Sequence, residues 1–91
     1  FPILNQQING RPLVSFENAA TTHTPLPVIN AILNYYRADN ANIHRGIHTL
    51  AERATADFET SRKAIADFLG ATSPEEIIFT SGPTMGINLV A

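Results

Sequence analysis

The stretch Glu76-Ile77-Ile78-Phe79-Thr80-Ser81-Gly82-Pro83-Thr84-Met85-Gly86-Ile87-Asn88-Leu89 constrains this chain more than any other. Its apolar run reads as a short buried strand, and Ser81-Gly82-Pro83-Thr84 as a tight turn into a helix. Glycine permits the sharp turn, and proline fits the first helical position, where its missing N–H costs nothing. A strand entering a helix this way leaves unpaired amides, here with the hydroxyls of Thr80, Ser81 and Thr84 nearby. Such a corner suits an anion, most often a phosphate. The same residues also suit ordinary helix capping, and the turn alone does not choose between the two. It is not a P-loop, because the eight-residue spacing and the lysine are missing.

Upstream, Asn9-Gly10-Arg11-Pro12 is a turn signal within an irregular start, and Val14-Ser15-Phe16 reads as a short strand. Thr24-Pro25 then predicts a helix start, with a hydroxyl cap followed by proline. Val28, Ile29, Ile32, Leu33 and Tyr36 form one apolar stripe, which ends in the turn-formers Asp39 to Asn42. A second helix is announced by the capping box of Thr49 and Glu52. Leu50, Ala54, Phe58, Ile65, Phe68 and Leu69 continue one face to Gly70, a natural stop. The opposite face, with Glu52, Arg53, Asp57, Glu59, Arg62, Lys63 and Asp67, reads as solvated. Strand, helix, helix, strand, helix is an α/β order.

The 91 residues are 44% hydrophobic and only 15% charged. Small domains have proportionally more surface, so this balance predicts apolar faces meant for a longer chain or a second subunit. A net charge of −2 with six scattered basic residues predicts no nucleic-acid partner. The absence of cysteine excludes disulfides and thiolate chemistry within the segment. No signal peptide and no membrane-length apolar run is present, so the expectation is a cytoplasmic location with no membrane partner. Phe1, in place of an initiator methionine, predicts a processed or trimmed product.

Two further segments carry candidate chemistry. In His44-Arg45-Gly46-Ile47-His48 the histidines stand four apart, but Gly46 and the helix start at Thr49 place them in a loop. Two histidines four apart could ligate a metal on a helix face, but in a loop the spacing guarantees nothing, so an anion contact, a partner contact and a plain solvated loop all remain open. Glu17-Asn18-Ala19-Ala20-Thr21-Thr22-His23 combines small residues that admit a ligand with polar groups that could bond to it. It could equally be a polar loop leading into the next helix.

Taken together, Glu17 to Thr22, Asn42 to Thr55, Glu76 to Thr84 and Ile87 to Ala91 closely resemble the N-terminal portion of class V aminotransferase-fold enzymes. The similarity is to the cysteine desulfurase and selenocysteine lyase branch, and His44-Arg45-Gly46-Ile47-His48-Thr49-Leu50 is its most specific part. The resemblance covers essentially the whole chain. It implies an α/β, aspartate aminotransferase-like fold, mostly helical here with two short strands. Residues 1–91 would be an N-terminal segment, a helical small-domain part plus the start of the cofactor-binding large domain.

The resemblance also implies a homodimer that uses pyridoxal 5′-phosphate and takes sulfur or selenium from cysteine or selenocysteine, leaving alanine. Pro83 and Thr84 would lie against the cofactor phosphate. Ala19 and Ala20 would sit by the substrate, and His44 and Arg45 at the entrance. No catalytic residue and no metal ligand is expected within the segment. The family's Schiff-base lysine, ring-stacking histidine and mobile cysteine would lie beyond Ala91, so the segment alone would be inactive. Three positions depart from the pattern: Pro83 replaces alanine or threonine, Met85 replaces glutamate, and Glu17 replaces aspartate. The rival readings are a non-catalytic helical dimerisation module and a small metal-binding domain using His23, His44 and His48.

Overall fold

Asn9 and Gly10 both take positive φ, 52° and 75°, and close a hairpin between β1 (Gln7–Ile8) and β2 (Arg11–Pro12). Asparagine and glycine tolerate that geometry, which gives antiparallel neighbours their natural twist. The register pairs Gln7 with Pro12 and Ile8 with Arg11. The hairpin belongs to the first of two units, Phe1–Asn40 and Ala41–Ala91, in a computed structural model that describes residues 1–91.

In the first unit, α1 (Leu26–Asn34) begins one residue later than expected. Pro25, not Thr24, is the cap: its carbonyl accepts from the amides of Val28 and Ile29 at 3.0 and 3.2 Å. Pro27 in the first turn sacrifices no bond, since that amide has no intrahelical partner. The helix passes into one wide π turn, Tyr35–Asp39, and stops where Asn40 turns extended. The predicted stripe is present, but Val28, Ile29, Ile32, Leu33 and Tyr36 are all exposed.

The second unit is organised by α2 (Thr49–Leu69). His48 is its cap, extended at φ −103° and ψ 156°, with Nδ1 accepting the Ala51 amide at 3.3 Å. Thr49 is therefore already helical, and the expected Thr49–Glu52 capping box does not form. A hydroxyl reaches the free amides only from the extended residue before the helix. At the far end Gly70 adopts φ 71° and ψ 26°. There the Gly70 amide donates to Asp67 O at 3.3 Å and the Ala71 amide to Ala66 O at 2.9 Å, the paired bonds of a Schellman stop.

The face that α2 buries overlaps the predicted one only at Ala54, which is buried, and Phe58, which is half-buried. Ala51, Ala54 and Ala66 are the buried residues, while Leu50, Ile65, Phe68 and Leu69 stay exposed. At Ala51 a small side chain is required because a loop backbone lies against it. A β-carbon placed on Gly46 would fall 2.5 Å from that of Ala51.

A 3₁₀ turn, Pro74–Glu76, and α3 (Pro83–Val90) complete the unit. The molecule is mostly helical with two short strands, but these strands are β1 and β2. Val14–Phe16 and Ile77–Phe79, expected as strands, have no neighbouring strand to complete a ladder.

Candidate functional site

Gly82 caps α3 at φ 156° and ψ 178°, a conformation essentially restricted to glycine. No side chain caps this helix, and Pro83 has no N–H, so the Thr84 and Met85 amides lack intrahelical acceptors. The space beside Gly82 is open, since an added β-carbon would meet nothing within 4 Å. The three hydroxyls expected to converge here do not. Thr80 Oγ1 donates to Gly82 O at 3.2 Å, and Ser81 Oγ donates to Met85 Sδ at 3.5 Å. Local bonds satisfy both before any ligand arrives, which leaves the exposed Thr84 hydroxyl. Two free amides, one hydroxyl and an unobstructed glycine fit a phosphate group.

The second cluster surrounds His44, which has a left-handed backbone at φ 56°. Histidine enters that region more readily than most residues, though at a cost of about 1 kcal/mol. Its amide donates to Thr55 Oγ1 at 3.0 Å, and Thr55 in turn donates to Ala51 O at 2.7 Å. Its ring meets Phe58 edge to face at 5.6 Å, and Nε2 lies 3.2 Å from Glu59 Oε1. Phe58 carries Phe79 on a second edge contact at 5.0 Å. One phenyl ring thus touches both the histidine loop and the segment that leads to Gly82.

Arg45 and Ile47 project from this loop into solvent, Ile47 being 100% exposed. His44 and His48 have separate tasks, a carboxylate pair and a helix cap, and no three metal-ligating side chains converge. Sequence reading missed Thr55, Glu59 and Arg62. Their spacing on α2 was visible, but mixed charge on a helix is most simply a solvated face.

In the first unit, Ala19 and Ala20 lie in an exposed bend. The loop around them lines a cavity of about 160 Å³ with Phe1, Leu4, Ser15, Asn18, Thr22 and His23. His23 Nε2 is buried there without a partner. Of the six predicted site residues, then, His44, Arg45, Pro83 and Thr84 share one unit, and Ala19 and Ala20 belong to the other.

The profile of the class-V aminotransferases matches residues 14–91, the span that carries both clusters. The chain belongs to that family. It is 53% identical over its whole length to a protein named probable cysteine desulfurase from Synechocystis sp., of which it covers 22%. It is also 53% identical to a probable cysteine desulfurase of Halalkalibacterium halodurans, again covering 22%. Among solved structures it is similar to the apo cysteine desulfurase of Thermococcus onnurineus NA1. That likeness has a TM-score of 0.76 and 49% identity, over 82% of this chain and 18% of the other. The fold of this family member is thus that of the pyridoxal-phosphate transferases, seen over about a fifth of the relatives' length.

Proposed function

We propose that residues 1–91 form the N-terminal part of a pyridoxal-phosphate-dependent cysteine desulfurase, which removes sulfur from cysteine and leaves alanine. The observation that carries this reading is the 53% identity, over the whole chain, to proteins of that name. The phosphate-compatible turn at Gly82 is independent support. When bound, the cofactor supplies an electron sink for carbanion chemistry, and the protein supplies binding and orientation. In this reading Thr84 Oγ1 and the Thr84 and Met85 amides hold the phosphate, with Pro83 setting the helix start. His44 and Arg45 line the entrance, and Ala19 and Ala20 lie by the substrate.

These residues contain no cysteine, so the thiol that takes up the sulfur is not among them. The exposed apolar residues of α1 and α3 support a homodimer. No helix is long and apolar enough to cross a membrane. The expected location of the enzyme is the cytoplasm.

The test is to supply the intact protein with pyridoxal phosphate, L-cysteine and a dithiol, which reduces the transferred persulfide sulfur to sulfide, and to measure alanine and sulfide. Equal amounts of both are expected, and their absence would sink the reading. Thr84→Val should weaken cofactor binding about tenfold, as expected for one hydrogen bond to a charged group. Titration of the cofactor's visible absorbance reads that change, and unaltered affinity removes Thr84 from the phosphate site.

A further inference from the structure

Glu59 was read from sequence as part of a solvated face, yet it stands at the centre of the most connected side-chain cluster in the second unit. One carboxylate oxygen lies 3.2 Å from His44 Nε2, and the other lies 3.7 Å from the Arg62 guanidinium. Arg62 Nε in turn donates to the Ile77 carbonyl at 2.9 Å. Arg62 is the more enclosed partner, its side chain 24% exposed against 41% for Glu59. The guanidinium is therefore fixed at its far end and presents a held cation to the carboxylate.

His44 needs that support. Its left-handed backbone is unfavourable for a residue with a β-carbon, and the contacts that offset it come from α2. Thr55 takes the amide, Phe58 takes the ring edge, and Glu59 takes the ring nitrogen. Gly46 and His48 are held by the same helix, through the Ala51 side chain and the Ala51 amide. The loop is thus clamped at alternate residues, and Arg45 and Ile47 are the ones left free to project.

We propose that Glu59 is a positioning residue: backed by Arg62, it holds the His44 ring on α2 and so fixes the backbone from which Arg45 projects. The clamp follows from geometry within one unit, and its effect on catalysis rests on the desulfurase reading. A substrate approaching a fixed loop meets the same groups each time. Loosening the loop therefore raises KM more than it lowers kcat.

The test uses the intact protein and two readouts. Hydrogen–deuterium exchange of residues 43–47 measures the clamp, and alanine release from cysteine measures its consequence. Glu59→Gln keeps the shape and removes the charge, and Thr55→Val removes the acceptor of the His44 amide. Asp57→Asn, exposed on the same helix, is the control. Both clamp variants should exchange the loop about fivefold faster than wild type, with the body of α2 and the control unchanged. Wild-type exchange in Glu59→Gln overturns the proposal.

Kinetically, Glu59→Gln should raise KM about fivefold and add nothing in a His44→Ala background, as for groups that act as a unit. A full further loss in that background also overturns the proposal, since Glu59 would then act by another route. If the wild-type protein releases no alanine, the desulfurase reading falls, and the exchange result decides the clamp by itself.

Discussion

The two units are built from similar amounts of apolar sequence and end up differently organised. In residues 1–40 the hydrogen-bonded elements are local: a hairpin turn, a 3₁₀ turn and a proline-capped helix whose stripe is exposed. None of these residues is buried. Residues 41–91 add contacts between segments distant in sequence, from His44 to Thr55 and Glu59 and from Arg62 to Ile77. All three buried residues, Ala51, Ala54 and Ala66, lie there. The difference is that the second unit brings a loop backbone close enough to a helix to bury side chains, whereas in the first unit the helix stripe stays exposed. Burial in so small a chain follows from close approach more than from hydrophobic content.

The largest effect should therefore come from blocking that approach. Gly46→Ala puts a methyl group 2.5 Å from the Ala51 β-carbon, at a buried position. The loop or the helix must shift, at a cost of about 3 kcal/mol. Gly10→Ala in the first unit meets no atom and should cost only its backbone strain at φ 75°, about 1 kcal/mol. Urea unfolding of both variants compares the units directly, and equal losses would erase the distinction. Gly82→Ala falls between them, at about 2 kcal/mol. It meets no atom either, but its φ of 156° is open to little except glycine.

Much of this was legible in the sequence, and the failures share a cause. Asn9-Gly10, the stop at Gly70 and the run of α2 follow from local chemistry, and the structure reproduces them. The capping box failed because a histidine ring one residue earlier took the amide. The strands failed because a strand is defined by a neighbour that these residues lack. At the candidate site, the turn alone offered Gly82, Pro83 and Thr84 as candidates but did not choose between a phosphate contact and ordinary helix capping. Thr80 and Ser81 could not be excluded, because their hydroxyls turn to partners known only after folding. Glu59 and Arg62 looked solvated for the same reason.

A smaller effect on stability, but a larger one on association, is expected on the first unit. Ile32 is 52% exposed, so Ile32→Ser in the 91-residue chain should change its stability by less than about 0.5 kcal/mol. The same change removes apolar surface from the centre of the α1 stripe. Sedimentation at tens of micromolar should show wild type self-associating and the variant shifted toward monomer. A monomeric wild type would mean that the open stripe does not drive pairing. A stability loss near 2 kcal/mol would mean that it is covered after all.

The smallest effect sharpens the comparison most, because it separates distance from consequence. Lys63 Nζ lies 2.7 Å from Asp67 Oδ2, closer than His44 lies to Glu59, yet both side chains are 65% exposed and sit one turn apart on α2. The pair restrains only residues that the helix already holds, and water screens it. Lys63→Met should therefore cost less than about 0.5 kcal/mol and leave exchange in the 43–47 loop untouched. The longer His44–Glu59 contact joins segments that the helix does not otherwise connect, so its loss should be felt by the loop. If Lys63→Met loosened the loop as much as Glu59→Gln, general surface charge on α2 would be responsible, and the clamp would have no special place in the second unit.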